Sequence, residues 1–283
     1  MKCFVLSGLR AGVVGAAAAG ATVGVGQAAA QSIAASDPSI VGFATSVEEY
    51  IPVPGVGPAF SLSGAALGEP DGETVSLGDA SSVQGPGSIT VGFAKAITNG
   101  VGADFAVFEN AFLGFTDDSF VFAELAFVEV STNGVDFARF PTTSLTTVPD
   151  PIGAPIISTD LDAFFGRDFA LIPSAGVDGF AGVDVTNEGT PFDLETLATD
   201  PLVVSGDLDL TEVNFVRLID VPGDGRFTDS SGNPIFDSFD PGNVSGGFDL
   251  DAVGVINAVP EPSVALMLLA AGGLVAGRFR RRA

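Results

Sequence analysis

Between residues 74 and 256 the sequence is a series of short apolar runs cut by turn-forming residues, and this punctuation limits the fold more than any other feature. The runs are 74–77, 88–93, 103–112, 121–131, 136–140, 213–220 and 248–256. Each has the length of a strand, is rich in Val, Ile or Phe, and is bounded by Gly, Pro, Asn or Asp. The breaks are explicit: Gly-Glu-Pro-Asp-Gly at 68–72, Gly85-Pro86-Gly87, Asn133-Gly134 and Gly223-Asp224-Gly225. From residue 40 to the C-terminal tail no stretch carries an apolar period of 3.6, and only 191–198 offers a short helical turn. Many short strands joined by Gly/Pro turns predict an all-β sandwich or barrel with long loops. One hairpin is specified in detail, with 127–131 running into Asn133-Gly134 and 135–140 running back. Asn-Gly supplies the positive φ angles of a tight hairpin turn. Alternation along the strand puts Val128 and Val130 on one face and Phe127 and Glu129 on the other.

The two ends fall outside this pattern. Lys2 and Arg10 precede or open an uncharged small-residue stretch at 11–26, and Ala28 and Ala30 then offer an A-x-A cleavage site before Gln31. That order predicts a signal peptide over 1–30. A retained anchor fits less well, because the stretch is mostly Gly and Ala, and Cys3 precedes it rather than standing where a lipoprotein cysteine would. At the other end Pro260-Glu261-Pro262 leads into residues 263–277, which carry no charge, and then into Arg278, Arg280, Arg281 and Arg282. A helix over 263–277 would reach only ~22 Å at 1.5 Å per residue, short of a ~30 Å hydrocarbon core. Such a segment tethers transiently, with the arginines held on the cytoplasmic side of the inner membrane. The chain therefore divides into a signal peptide (1–30), an N-terminal extension (31–59), a β-sandwich domain (60–257) and a C-terminal signal (258–283).

The C-terminal order of Pro-Glu-Pro, short apolar helix and arginine cluster resembles the PEP-CTERM sorting signal of Gram-negative bacteria. The resemblance covers only the last ~25 residues. It implies recognition by an exosortase, a membrane-embedded transpeptidase, and delivery to the cell surface or to a biofilm matrix rich in exopolysaccharide.

Charge and composition narrow the chemistry. There are 35 Asp and Glu against 11 Lys and Arg, for a net charge of −24. Six of the cations lie in the two ends, leaving Lys95, Arg139, Arg167, Arg217 and Arg226 between them. A polyanion of this kind is repelled by phosphate backbones, so nucleic acid is excluded as a partner. With no His, the usual general base, zinc ligand and triad are missing. With Cys3 as the one cysteine, the segment after the leader has no thiol nucleophile and no disulfide. Trp is absent and Tyr50 is the one Tyr, whereas Phe occurs 24 times and reads as core.

Three pieces of the middle look like discoidin and galactose-binding-like jelly rolls. These are the 127–140 hairpin, the Val-Asn-Phe-Val-Arg-Leu-Ile-Asp run at 213–220, and Gly68–Gly72 followed by Ser88-Ile89-Thr90-Val91. The segments 67–72, 104–112 and 247–253 also resemble a group of bacterial cell-surface proteins without assigned activity. The first resemblance implies a jelly-roll sandwich with a structural calcium near the Asp71 loop. The Trp-bearing ligand loops of sugar-binding members are missing here.

Calcium takes six to eight oxygen ligands, often from Gly-containing loops. Candidate ligands are Glu69 and Asp71 in the 68–72 turn, Glu109 and Asn110 at the end of a run, and Asp249 and Asp251 alternating on the last strand. Asp220, Asp224 and Asp229 form a further acid loop without the EF-hand pattern. The competing reading is that these acids cap turns. No catalytic residues are assigned. A glycosidase needs only two carboxylates, but no pair is singled out, and Glu124 and Glu129 are spaced to fall on opposite faces of a strand. The expectation is a structural or adhesive matrix protein, with a calcium-dependent glycan-binding module as the alternative and a carboxylate-based glycoside hydrolase behind both.

Overall fold

The structure is a computed structural model that describes residues 31–80, 84–113, 120–145, 171–173, 177–185, 187–237 and 243–260. The expected signal peptide and the tail from Glu261 onward lie outside these residues. Among the described residues no helix is long and apolar enough to cross a membrane.

The apolar runs pair into two six-stranded antiparallel sheets, as the all-β reading expects. In the first, Asp249–Val255 lies between Phe105–Glu109 and the edge strand Gly42–Phe43, with Val75–Ser76 pairing against its start. Glu188–Phe192 flanks Phe105–Glu109 on its other side and carries Ile33–Ala34 beyond it. In the second, Val213–Asp220 lies between Ala126–Ser131 and Ser88–Ile97. Ala138–Arg139 and Phe180–Ala181 pair with Ala126–Ser131, and Ser46–Ile51 closes the far edge. Two smaller sheets complete the strands.

The main core lies between the two sheets. Phe105, Val107, Leu250, Val253 and Val255 from the first sheet meet Ile89, Val91, Val128, Val130, Val216 and Leu218 from the second. Both outer faces are covered as well. Ala106, Phe108 and Ala252 pack under Ile33, Ile40 and Phe43, while Phe127 joins Leu125, Phe180 and Ile235 in a third cluster. Strands buried on both faces need no polar alternation, which is why 105–109 and 249–255 read as unbroken apolar runs.

Two expectations change. The 31–59 segment is not an extension outside the domain: it supplies one edge strand to the second sheet and two strands to the first, and it covers the first sheet's outer face. The hairpin turn is wider than Asn-Gly alone suggests. Ala138 pairs with Val130, and of the two turn residues only Gly134 has a positive φ, 75°. Asn133 serves the loop through its side chain instead, since its Oδ1 accepts from the N–H groups of Val135 and Asp136 at 2.8 and 2.9 Å. The predicted facing holds, with Val128 and Val130 in the main core and Phe127 in the outer cluster. Helix is limited to Leu194–Leu197, a 3₁₀ turn, and Pro201–Ser205, an α-helix capped by Asp200, together with the 3₁₀ turn Ser63–Ala66, among the described residues.

Candidate functional site

Six carboxylates are buried together where strand ends from both sheets meet. Glu109 ends Phe105–Glu109, Asp220 ends Val213–Asp220, and Asp249 begins Asp249–Val255. Glu124, Asp79 and Asp237 come from loops. None of the six is more than 8% exposed. Backbone contacts lock them to one locus. Gly247 N–H donates to Glu124 Oε1 at 3.0 Å and Phe248 N–H to Asp220 Oδ1 at 2.9 Å. Asp237 Oδ2 accepts from Leu125 N–H, next to Glu124, at 2.8 Å. Asn110 Nδ2 donates to Asp249 Oδ2 at 3.2 Å, and Ala111 N–H to Glu109 Oε2 at 2.6 Å. Gly247 must be glycine: its φ is +76°, and a Cβ there would lie 2.7–2.8 Å from Gly78 C, Asp79 N and Asp220 Oδ1.

The electrostatics follow from burial. Desolvation pushes the carboxyls of Glu109, Glu124, Asp220 and Asp237 well above their ordinary range. Neighbouring acids add to it, Asp249 acting on Glu109 and Glu124, and Asp79 on Asp220 and Asp237. Asp249 itself is pushed up to about 7 by burial, against hydrogen bonds from Ser76 and Asn110. One cation opposes them: the Arg226 charge draws Asp220 the other way, while Arg226 Nη2 donates to the Ala80 carbonyl and Nε stands 3.5 Å from Asp224. Tyr50 borders the cluster. Its hydroxyl donates to the Ser76 carbonyl at 2.6 Å, and burial followed by the Asp249 charge raises it to about 12.

The six ligand candidates read from sequence are divided between places. Glu109, Asn110 and Asp249 belong to the buried cluster. Asp71 and Glu69 are outside it, and Asp251 serves their turn, accepting from Asp71 N–H and Gly72 N–H at 3.1 Å each. The alternation expected for Asp249 and Asp251 is interrupted by a bulge, because Leu250 pairs with Glu109 while Ala252 pairs with Phe108. Asp71 Oδ1 also accepts from Glu73 N–H at 2.9 Å, which is the turn-capping role.

The 220–229 acid loop divides too. Asp229 is consumed by its own loop, accepting from Ser144 N–H, Ser231 N–H, Asn233 N–H and Asn233 Nδ2 at 2.8–3.0 Å. Burial alone would raise its carboxyl, but these donors hold it at about 2. Replacing Asp229 with Ala strands three backbone N–H groups and is expected to cost about 2–3 kcal/mol in urea unfolding, with Asn recovering about half. Glu124 and Glu129 part as their spacing predicts. Glu129 lies between Arg139 and Arg217 on paired strands, with Arg Nε–Oε distances of 2.9 and 2.7 Å.

Sequence reasoning missed Asp79, Glu124 and Asp237 as members of one site, and it placed Asp220 only in a loop. The available signal was an acid at the boundary of an apolar run, as in Val-Phe-Glu109, Ala-Glu124-Leu and Leu-Ile-Asp220. Among the described residues no three acidic side chains stand together as a finished metal cage. No family model matches the chain, and no curated protein matches it either.

Proposed function

We propose that this chain is an exported component of a Gram-negative cell surface or extracellular matrix, structural or adhesive in role and associated with exopolysaccharide. The observation that carries the reading is the order at the C-terminus: Pro260-Glu261-Pro262, fifteen uncharged residues, then the arginine cluster ending in Arg280, Arg281 and Arg282. An exosortase would process this tail after the 263–277 segment has held the chain in the inner membrane. The strong negative charge suits a hydrated polysaccharide gel and disfavours nucleic acid. We further read the sandwich-like domain as a member of the discoidin/galactose-binding-like jelly rolls, on the resemblance of its 127–140 and 213–220 segments.

The alternative, a calcium-dependent glycan-binding module, would be favoured by aromatic rings on an open face. The exposed large hydrophobic residues among those described are all aliphatic: Val41, Ile51, Leu62, Val101, Val135, Leu145, Val204, Val244 and Val259. That favours a building role over sugar stacking. A carboxylate-based hydrolase is disfavoured because the clustered acids are buried, which leaves a glycan chain no approach to them.

Cell fractionation with mass spectrometry of the mature ends tests the reading. The expected protein is found at the surface or in the medium, begins at Gln31 and has lost its arginine cluster; removing residues 278–282 blocks that maturation. A cytoplasmic protein that retains residues 1–30 would overturn it. Pull-down on the producing organism's exopolysaccharide, with and without calcium, separates the matrix role from the calcium-dependent glycan-binding one.

A further inference from the structure

We infer that the buried acidic cluster is a divalent-cation site, with Glu109, Asp220, Asp237 and Asp249 supplying the ligand oxygens and calcium the cation its chemistry fits. The four carboxylates share one posture. One oxygen of each is anchored by a donor: Ala111 N–H on Glu109 Oε2, Phe248 N–H on Asp220 Oδ1, Leu125 N–H on Asp237 Oδ2, and Asn110 Nδ2 on Asp249 Oδ2. The other oxygen of each, Glu109 Oε1, Asp220 Oδ2, Asp237 Oδ1 and Asp249 Oδ1, is buried and has no hydrogen-bond partner. Chance burial seldom leaves four acceptors orphaned, because each unmatched polar group costs the fold its desolvation. Anchoring one oxygen while freeing the other is what metal ligands require, the anchor setting the orientation of the ligand.

The charge count points the same way. Six acids at 1–8% exposure, counting Asp79 and Glu124, are met by Arg226 as the cation acting on Asp220. Buried charge without a counter-charge is strongly unfavourable. A divalent ion supplies that counter-charge. All the open atoms are hard carboxylate oxygens, with no His or Cys to favour a transition metal. Calcium accepts irregular sets of six to eight oxygens at about 2.3–2.6 Å, whereas magnesium demands a near-ideal octahedron. The four ligands come from different segments, so their closure on a single ion joins strand ends of the two sheets. The site is separate from the Asp71–Asp251 turn. It rests on the buried cluster alone and stands or falls independently of the export reading.

The test uses purified full-length protein, stripped with EDTA and titrated with calcium chloride at pH 7.5, with magnesium and potassium chlorides as comparators. Calorimetry reads binding, thermal melting reads linkage, and fluorescence of Tyr50, the one Tyr in a chain without Trp, reports beside the cluster. Saturable binding is expected, with a rise in Tm of about 5–10 °C at a hundredfold excess over Kd. Asp220→Asn with Asp237→Asn keeps an acceptor for Phe248 N–H and Leu125 N–H while removing two charges. Without calcium this variant melts at or above the wild-type temperature; its calcium affinity falls at least tenfold and its Tm rise is lost. Asp71→Asn, at the exposed turn, leaves the rise intact. Absence of saturable calcium binding, or a rise retained in the double variant, would overturn the inference, the second result assigning the effect to surface charge.

Discussion

Held in excess chelator, the protein is expected to be most stable near about pH 4–5 and to lose stability continuously as the pH rises through about 7. The sign comes from burial. Asp249 is raised to about 7 by desolvation, and Glu109, Glu124, Asp220 and Asp237 are held well above the usual range, by desolvation first and by neighbouring acids second. The facing charges are Asp79, which acts on Glu124, Asp220 and Asp237, Asp224, which acts on Asp237, and Arg226, which draws Asp220 the other way. In the unfolded chain these carboxyls release their protons near about pH 4. Below that pH both states hold the same protons, and the full contribution of the cluster is present. Above it the fold keeps protons that the unfolded chain has released, and each such proton costs about 1.4 kcal/mol per pH unit. Asp229 has the opposite sign. Held at about 2, it contributes above about pH 4, and that contribution is lost as the pH falls toward 2, which gives the profile its acid limb. Circular-dichroism melts at steps from about pH 3 to 9 read both limbs. Saturating calcium should flatten the limb above about pH 5, because a bound cation stabilises the charged form. A profile in chelator that stays level between about pH 5 and 8 would show that these carboxyls titrate as exposed ones do.

The same acids explain how far the sequence could be read. The 213–220 run matches Val213–Asp220, and 248–256 shortens by one residue at each end to Asp249–Val255. Two long runs divide instead. The 103–112 run breaks after Glu109 into Phe105–Glu109 and Phe112–Leu113, and 121–131 breaks around Glu124 into Phe120–Phe122 and Ala126–Ser131. Hydropathy carries each run through its acid, but the chain turns there so that the carboxylate can face the cluster. The cluster itself was illegible, because its members are spread from residue 79 to residue 249 and only the antiparallel pairing brings them together. The strands at 33–34, 42–43 and 46–51 escaped notice for another reason. They are short edge strands, and their work is to cover a face already made by other strands, a role that leaves little periodicity.

Replacing Phe105 with Ala is expected to cost about 3–5 kcal/mol in urea unfolding, the largest single loss from the aliphatic and aromatic core. Phe105 is fully buried in the main core. Its ring stacks on Phe192, its register partner on the neighbouring strand, at 5.2 Å between centroids, and meets Phe140 edge-on at 5.8 Å. Phe140 closes the triangle onto Phe192 at 5.0 Å. Truncation removes one ring and deprives the other two of their partner, and the rigid strands on either side limit collapse into the space. Phe105→Leu keeps most of the apolar volume and should cost about half as much. In a double-mutant cycle the Phe105–Phe192 pair should couple by about 0.5–1.5 kcal/mol beyond their separate losses. Phe105 stands at one end of a five-residue strand and Glu109 at the other, roughly 13 Å apart at ~3.3 Å per residue. At that distance the effects should add. Phe105→Ala should therefore lower stability equally with and without calcium, whereas the Asp220→Asn/Asp237→Asn variant should lose the calcium-dependent part. A calcium response that shrinks in Phe105→Ala would mean that the aromatic end and the acidic end form one cooperative unit, and that closing the sheets at one end depends on packing at the other.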